Sequence, residues 1–284
     1  GSVEGDGGLA ALGAVCDERE QAYRLGGEAR EGALIAAAAS FTALANDTSL
    51  ALDVRAEAAF RAGELLRARK LSEAAAARFR LALELGGGLP LLPGKVLSRA
   101  TSGADQTVAG ATSGQPSGQS SGGASVAVVT ATPAMDPAAL AAREFAARGL
   151  LELAHLERRG DRLIEALALY EQLSGTYPDQ PRQGAHGATW KTKLLVRLER
   201  LDEAMAAVSE FATRHRGYPL DLVRNAEVAA KALLAVHREE DARALVSGLD
   251  SQLEQPLSEL SEGDNSQVKA ALSELRVTVW GKAL

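Results

Sequence analysis

The chain has 284 residues, of which 24% are charged and 4% aromatic, with a formal net charge of −6 and a pI near 5.4. This length supplies an apolar core for one or two domains without disulfides or metals. The acidic balance argues against nucleic acid as a partner, because neutralising phosphates needs a basic excess. Ala, Leu, Arg and Glu dominate the composition, and this mixture favours helices over strands. We therefore predict an all-α protein.

The N-terminal segment leaves the compartment open. Gly1-Ser2 has the form of an expression scar, no signal peptide follows it, and no apolar run reaches the roughly 18 to 20 residues that span a bilayer. The chain's one cysteine, Cys16, lacks the small preceding residue and the basic start of a lipidation signal. We expect it to be a half-buried helical residue. Cytoplasmic and, if an upstream signal was removed, periplasmic or cell-envelope locations remain alternatives.

Apolar residues recur at three- and four-residue spacing on both sides of the chain's centre, which predicts amphipathic helices of roughly 12 to 18 residues. Glycine, proline and asparagine clusters separate these helices. They lie at Gly26-Gly27, Asn46-Asp47, Gly86 to Gly88, Gly160-Asp161, Tyr177-Pro178 with Pro181, Gly217 to Pro219, and Gln255-Pro256.

Residues 101–135 are rich in Gly, Ser, Thr and Ala and carry almost no bulky apolar or charged side chain. Such a segment cannot offset its ordering entropy by burial, so we predict a flexible linker. It divides the chain into N-terminal helical repeats over 1–100 and C-terminal helical repeats with a capping helix over 136–284. The sequence leaves open whether the two parts form one continuous array.

A small residue recurs near the expected start of the second helix of each helical pair. Successive members lie 42, 91, 38 and 38 residues apart, and the long interval contains the predicted linker. Stacked helix pairs require such a repeat, because one pair cannot bury its own apolar face. The aligned residues are Ala33, Ala75, Ala166, Ala204 and Ala242.

Within these units the residues resemble the tetratricopeptide repeat. The unit from 150 to 178 carries the resemblance best, with Ala154, Ala166, Tyr170 and Pro178 at the family's spacing. The family's early tryptophan is missing and the period is 38 in place of 34. The resemblance implies an α-α superhelical solenoid of antiparallel helix pairs that serves as a protein–protein interaction scaffold or adaptor. Tyr170 to Leu173 followed by Thr176-Tyr177-Pro178 is also similar to helical-repeat proteins of bacterial cell envelopes.

Motifs for catalysis or cofactor binding are weak. Residues 118–122 spell a nucleophile elbow but lie in the low-complexity segment, and residues 88–96 differ from a phosphate loop in length and in their final residue. The four histidines are never three or four residues apart, so no metal site is indicated. Trp190 and Trp280 are predicted to be packing residues. We expect a chain without enzymatic activity, metal or cofactor.

In the tetratricopeptide family the first helix of each pair lines the concave groove, and carrying its spacing over gives fifteen groove positions. Seven of these are Arg or Lys, although the chain has 31 basic residues in 284. A positive groove in an acidic body would attract acidic ligands, and Arg binds carboxylates bidentately. We predict that an acidic peptide or a C-terminal carboxylate binds there. The predicted partner-binding residues are Arg148, His155, Arg158, Arg159, Lys193, Arg197, Arg224 and Lys231.

Three alternatives stay open at this point. The groove cations could be solvated helix positions paired with nearby glutamates. The chain could be a self-assembling structural component, with the segment Val277 to Trp280 as its contact. It could also be an enzyme on a helical framework, which would need convergent acids or a nucleophile in a pocket. The partner, pathway and oligomeric state are not indicated.

Overall fold

The computed structural model describes residues 4–88 and 136–281, and the predicted linker at 101–135 lies outside them. The described part is helical, with 11 helices and no strand, as the sequence predicts. The helices are α1 (Glu4–Arg24), α2 (Gly27–Asn46), α3 (Leu52–Ala68), α4 (Ser72–Leu85), α5 (Pro137–Arg159), α6 (Leu163–Thr176), α7 (Pro181–Arg197), α8 (Leu201–Arg214), α9 (Pro219–Ala235), α10 (Glu239–Glu259) and α11 (Glu262–Trp280).

Four helix pairs, α3–α4, α5–α6, α7–α8 and α9–α10, share one connecting turn of three residues. The middle residue of each turn is left-handed, with φ between 59° and 61°, and the four are Lys70, Asp161, Glu199 and His237. The residue after it donates its N–H to the carbonyl five residues earlier at 2.9 to 3.0 Å. This hydrogen bond is that of a Schellman motif, which satisfies carbonyls at a helix C-terminus. We call the first helix of each pair A and the second B.

The alanine alignment from the sequence is confirmed for these four pairs. Ala75, Ala166, Ala204 and Ala242 are each fully buried, and each N–H bonds to the carbonyl of the B helix's N-cap residue at 2.9 to 3.1 Å. Ala33 is half-buried in the body of α2, and α1 joins α2 through Gly26 and a left-handed Gly27. The first pair therefore does not share the turn of the other four.

The A helices form one row and the B helices a second row. Each A helix packs against its own B helix, the preceding B helix and the next A helix. α1 and α11 extend the A row at its two ends, through contacts with α3 and α9. One apolar core runs from α1 to α8, and a second runs from α7 to α11.

The helices on either side of residues 89–135 pack directly on one another. The ring of Phe60 on α3 lies 5.7 Å from that of Phe79 on α4 and 6.0 Å from that of Phe145 on α5. Arg67 on α3 pairs with Glu152 on α5 at 2.5 Å. Burial raises the pKa of Glu152, and the neighbouring Arg67 lowers it in part. The described helices before and after the gap thus share one core.

The predicted breaks that contain Pro181 and Pro219 are confirmed, whereas one other predicted break is wrong. Pro181 and Pro219 begin helices, since the first position of a helix needs no N–H donor. The predicted break at Gln255-Pro256 is wrong, because α10 continues to Glu259. Pro256 removes one N–H donor from the last turn of this helix. Cys16 is half-buried in α1 and packs against the first core, as predicted.

Helix α3 approaches α4 closely at a glycine. A Cβ on Gly63 would lie 2.5 Å from Cε1 of Phe79, a side chain that is fully buried. At the same spacing in the later pairs, Ala154, Thr192 and Ala230 stand on the A helix. The B-helix counterparts of Phe79 in those pairs are Tyr170, Val208 and Val246. In the last two pairs, the A-helix residue is larger than Gly63, and the B-helix residue opposite it is a valine, which is smaller than Phe79.

We expect Gly63→Ala to destabilise the protein by up to about 2 kcal/mol, because overpacking costs about 1 to 3 kcal/mol and a helix-propensity gain of about 1 kcal/mol offsets only part of it. Phe79→Val alone should also destabilise the protein, because it leaves a cavity, but in its presence Gly63→Ala should cost less, since the new methyl group then has room. Gly32→Ala is the matched control, since nothing lies within 4 Å of its Cβ position, and it should stabilise by about 0.5 to 1 kcal/mol. Denaturant unfolding of the wild type, the three single variants and the double variant measures these effects; equal effects of the two Gly→Ala changes would contradict the close approach.

Candidate binding surface

The eight residues predicted to bind a partner lie on the A helices α5, α7 and α9. Arg159, Lys193, Arg197, Arg224 and Lys231 are exposed. Arg148 and Arg158 are half-buried, and His155 is buried. Because α5 contacts α7 and α7 contacts α9, these helices form a continuous part of the A row.

Helices α5 and α7 present two facing lines of side chains. At one end, Arg148, Leu151 and Glu144 of α5 meet Arg182, Gln183 and His186 of α7 around a recess of about 320 Å³. Further along, His155 contacts both His186 and Trp190, with ring centroids 5.7 and 5.4 Å apart. The recess therefore continues into an aromatic cluster.

Trp190 is the centre of this cluster and carries two cations. The guanidinium of Arg158 on α5 lies 4.1 Å from the centroid of the Trp190 ring, and the ammonium of Lys193 lies 4.7 Å from it. The ring of Tyr170 on α6 is nearly parallel to the indole at 6.5 Å. Cation–π contacts hold both positive groups in place while leaving their charge unneutralised. Neither cation forms a salt bridge within the described residues.

Two hydrogen bonds fix the histidines of the cluster. Nδ1 of His155 lies 2.5 Å from the hydroxyl of Tyr170, and the indole N–H of Trp190 donates to Nε2 of His186 at 3.0 Å. Burial, reinforced by His186 and Arg158, lowers the pKa of His155 to about 3. Burial also lowers the pKa of His186 and raises that of Tyr170 to about 12. At neutral pH the cluster's rings are neutral, and its charge comes from Arg158 and Lys193.

We call the surface formed by Arg148, His155, Arg158, Arg182, His186, Trp190 and Lys193 the α5–α7 surface. Four of these side chains are basic, and two carboxylates lie nearby: Glu144 is 3.7 Å from Arg148, and Asp221 acts electrostatically on His186. Arg148 also covers the rings of Phe60 and Phe145 at 4.5 and 5.4 Å. Apolar and aromatic atoms beneath cations suit a ligand that combines carboxylates with a hydrocarbon backbone.

Besides Arg148, which pairs with Glu144, three of the predicted residues have carboxylate partners. Arg197 pairs with Asp161 at 2.8 Å, Lys231 with Glu227 at 2.6 Å, and Arg224 lies 4.0 Å from Asp221. These three therefore match the alternative of solvated, paired helix positions. The partner of Arg197 comes from the preceding helix pair, which sequence spacing on one helix does not reveal.

Arg159 differs from the other predicted residues in the cavity that it lines. It lines a cleft of about 780 Å³ with side chains of α3 and α4, at the edge of the helix rows where the A–B turns lie. Arg159 thus lines this cleft, whereas Arg158 lies over the ring of Trp190. Adjacent residues on a helix point about 100° apart, so the two arginines face different surfaces.

Trp190 is the functional candidate that sequence reasoning missed. It packs against the first core, as predicted, and its half-buried ring also borders the A-helix surface. The available signal was spacing: His186, Trp190 and Lys193 follow one another at four and three residues on α7, which places them on one helical face. Trp280 does pack against the second core, as predicted, and Val279 beside it is buried.

Residues 4–88 and 136–281 contain neither a metal-binding cluster nor a membrane-spanning helix. No group of three or more His, Cys, Asp or Glu side chains there is arranged to hold a metal ion. Among the same residues, no helix is both long enough and apolar enough to cross a bilayer. Comparison of the sequence with protein-family models and with curated proteins found no match.

His155 should make the protein less stable in mild acid. The unfolded chain protonates this histidine near pH 6.5, whereas the folded chain resists protonation down to about pH 3. Below pH 6.5 each pH unit therefore favours the unfolded state by about 1.4 kcal/mol, reaching about 2 kcal/mol at pH 5. Above about pH 7 the histidine is neutral in both states and contributes no pH dependence.

Chemical unfolding of the wild type and of His155→Gln at pH 7.5, 6.0 and 5.0 tests this expectation. The free energy of unfolding should fall more steeply with acid in the wild type than in the variant. His186 and His215, whose pKa values burial also lowers, are present in both proteins and cancel in the difference. Parallel curves would show that His155 is not held neutral.

Proposed function

We propose that this chain is a non-catalytic tetratricopeptide-like scaffold that binds an acidic peptide segment or C-terminal carboxylate along its A helices. The observation that carries the proposal is the pair of unneutralised cations, Arg158 and Lys193, stacked on Trp190. The recess beside Arg148 and Arg182 extends the same positive surface by one helical turn or more. The four shared A–B turns support the helical-repeat part of the proposal.

The geometry favours a carboxylate ligand for a physical reason. Arg158 and Lys193 are already desolvated on one side by the indole, so a ligand carboxylate displaces less water when it binds. The protein's net charge of −6 leaves this positive surface inside a negative body. Such an arrangement steers acidic ligands to one place and makes their association sensitive to salt.

A fluorescently labelled hexaglutamate peptide with a free C-terminus is the probe that tests the proposal. Binding at low salt should be saturable, and Arg158→Glu with Lys193→Glu should weaken it by at least tenfold. The matched control is Arg214→Glu with Arg243→Glu, which makes the same change in charge on B helices at two exposed arginines. The control should lose little affinity.

Trp190→Leu separates the aromatic platform from simple charge. This variant keeps both cations but removes the ring that positions them, and we expect a loss of several-fold in affinity for the probe. An amidated version of the peptide lacks the charged terminal carboxylate. Comparing its affinity with that of the free-acid peptide shows whether this carboxylate contributes to binding. Equal losses in the surface double variant and its control, or no saturable binding by the wild type, would contradict the proposal.

A further inference from the structure

The 780 Å³ cleft that contains Arg159 lies between two neighbouring A–B turns, those of α3–α4 and α5–α6. Its lining has five basic side chains and two carboxylates, with Leu156 and Ala76 as its apolar part. The basic residues are Arg67, Lys70, Arg80, Arg159 and Arg162, and the carboxylates are Glu73 and Glu157. Arg67 is paired with Glu152, and Arg162 with Glu157. The other three form no salt bridge among the residues that the structure describes.

Comparison with the next two A–B turns, those of α5–α6 and α7–α8, explains why this cleft is positive. There the left-handed turn residue Asp161 pairs at 2.8 Å with Arg197, the last residue of the following A helix. One step earlier, the left-handed turn residue is Lys70 and the last residue of the following A helix is Arg159. A cation thus stands where the next step has a carboxylate. The ion pair that joins adjacent turns is replaced by two like charges.

From this substitution of like charges for an ion pair we propose that the cleft is a binding site for a multivalent phosphate-bearing ligand without an aromatic base. Three unpaired cations, Lys70, Arg80 and Arg159, supply the charge that such a ligand needs. Guanidinium groups match phosphate oxygens bidentately, and lysine adds a point charge. No aromatic side chain of the described residues lines the cleft, so they offer no platform there for a nucleobase. The cleft is distinct from the α5–α7 surface, whose cations rest on Trp190.

Isothermal titration of the full chain with inorganic tripolyphosphate tests the proposal. The wild type should bind one equivalent at low salt, and Lys70→Asp should weaken binding by at least tenfold. Lys70→Asp recreates the Asp–Arg pair of the next turn, and aspartate already occupies the same left-handed conformation at position 161. We therefore expect its Tm to equal or exceed that of the wild type, so loss of binding will not reflect misfolding.

Lys269→Asp is the matched control, because Lys269 is an exposed lysine on α11 and its replacement makes the same change in charge. It should leave tripolyphosphate affinity within about twofold of the wild type. Arg80→Gln, a second cleft variant, should weaken binding several-fold. The proposal is overturned if the wild type shows no saturable binding, or if Lys70→Asp and Lys269→Asp reduce affinity equally.

Discussion

The left-handed residue in the middle of each A–B turn is the constraint on which the rest of the molecule depends. A three-residue turn with this conformation returns the chain in one direction only, so every B helix starts at the same place relative to its A helix. The buried alanine in the first turn of the B helix then fits the contact that this geometry creates. Non-glycine residues hold the conformation in all four turns, so packing compensates its cost.

Repetition of one backbone geometry makes differences between repeats easy to interpret. The same position in successive turns holds Lys70, Asp161, Glu199 and His237. Asp161 joins two turns through Arg197, whereas Lys70 faces Arg159 across an open cleft. On the A helices, similarly, the ring of Trp190 on α7 contacts the cations of Arg158 and Lys193. Both candidate sites thus arise where a side chain departs from its equivalents while the backbone stays the same.

The sequence predicted what depends on local pattern. Periodic apolar residues indicated the helices, and the alanine spacing identified four of the five helix pairs because a buried contact tolerates only a small side chain there. It could not predict contacts between pairs. Arg197 was predicted to be available, but Asp161 reaches it from 36 residues away. The positive cleft was missed because Lys70 and Arg159 are separated by the low-complexity segment, and their meeting depends on α4 packing against α5.

The most direct test of the α5–α7 surface uses the two tryptophans of the chain. Their indole N–H groups give two signals in a ¹H–¹⁵N spectrum, and Trp280→Phe assigns them. Addition of the hexaglutamate peptide should shift the Trp190 signal, whose N–H is bonded to His186 at the surface, and leave the Trp280 signal in place. A shift of the Trp280 signal alone, or of neither signal at saturating peptide, would contradict the account.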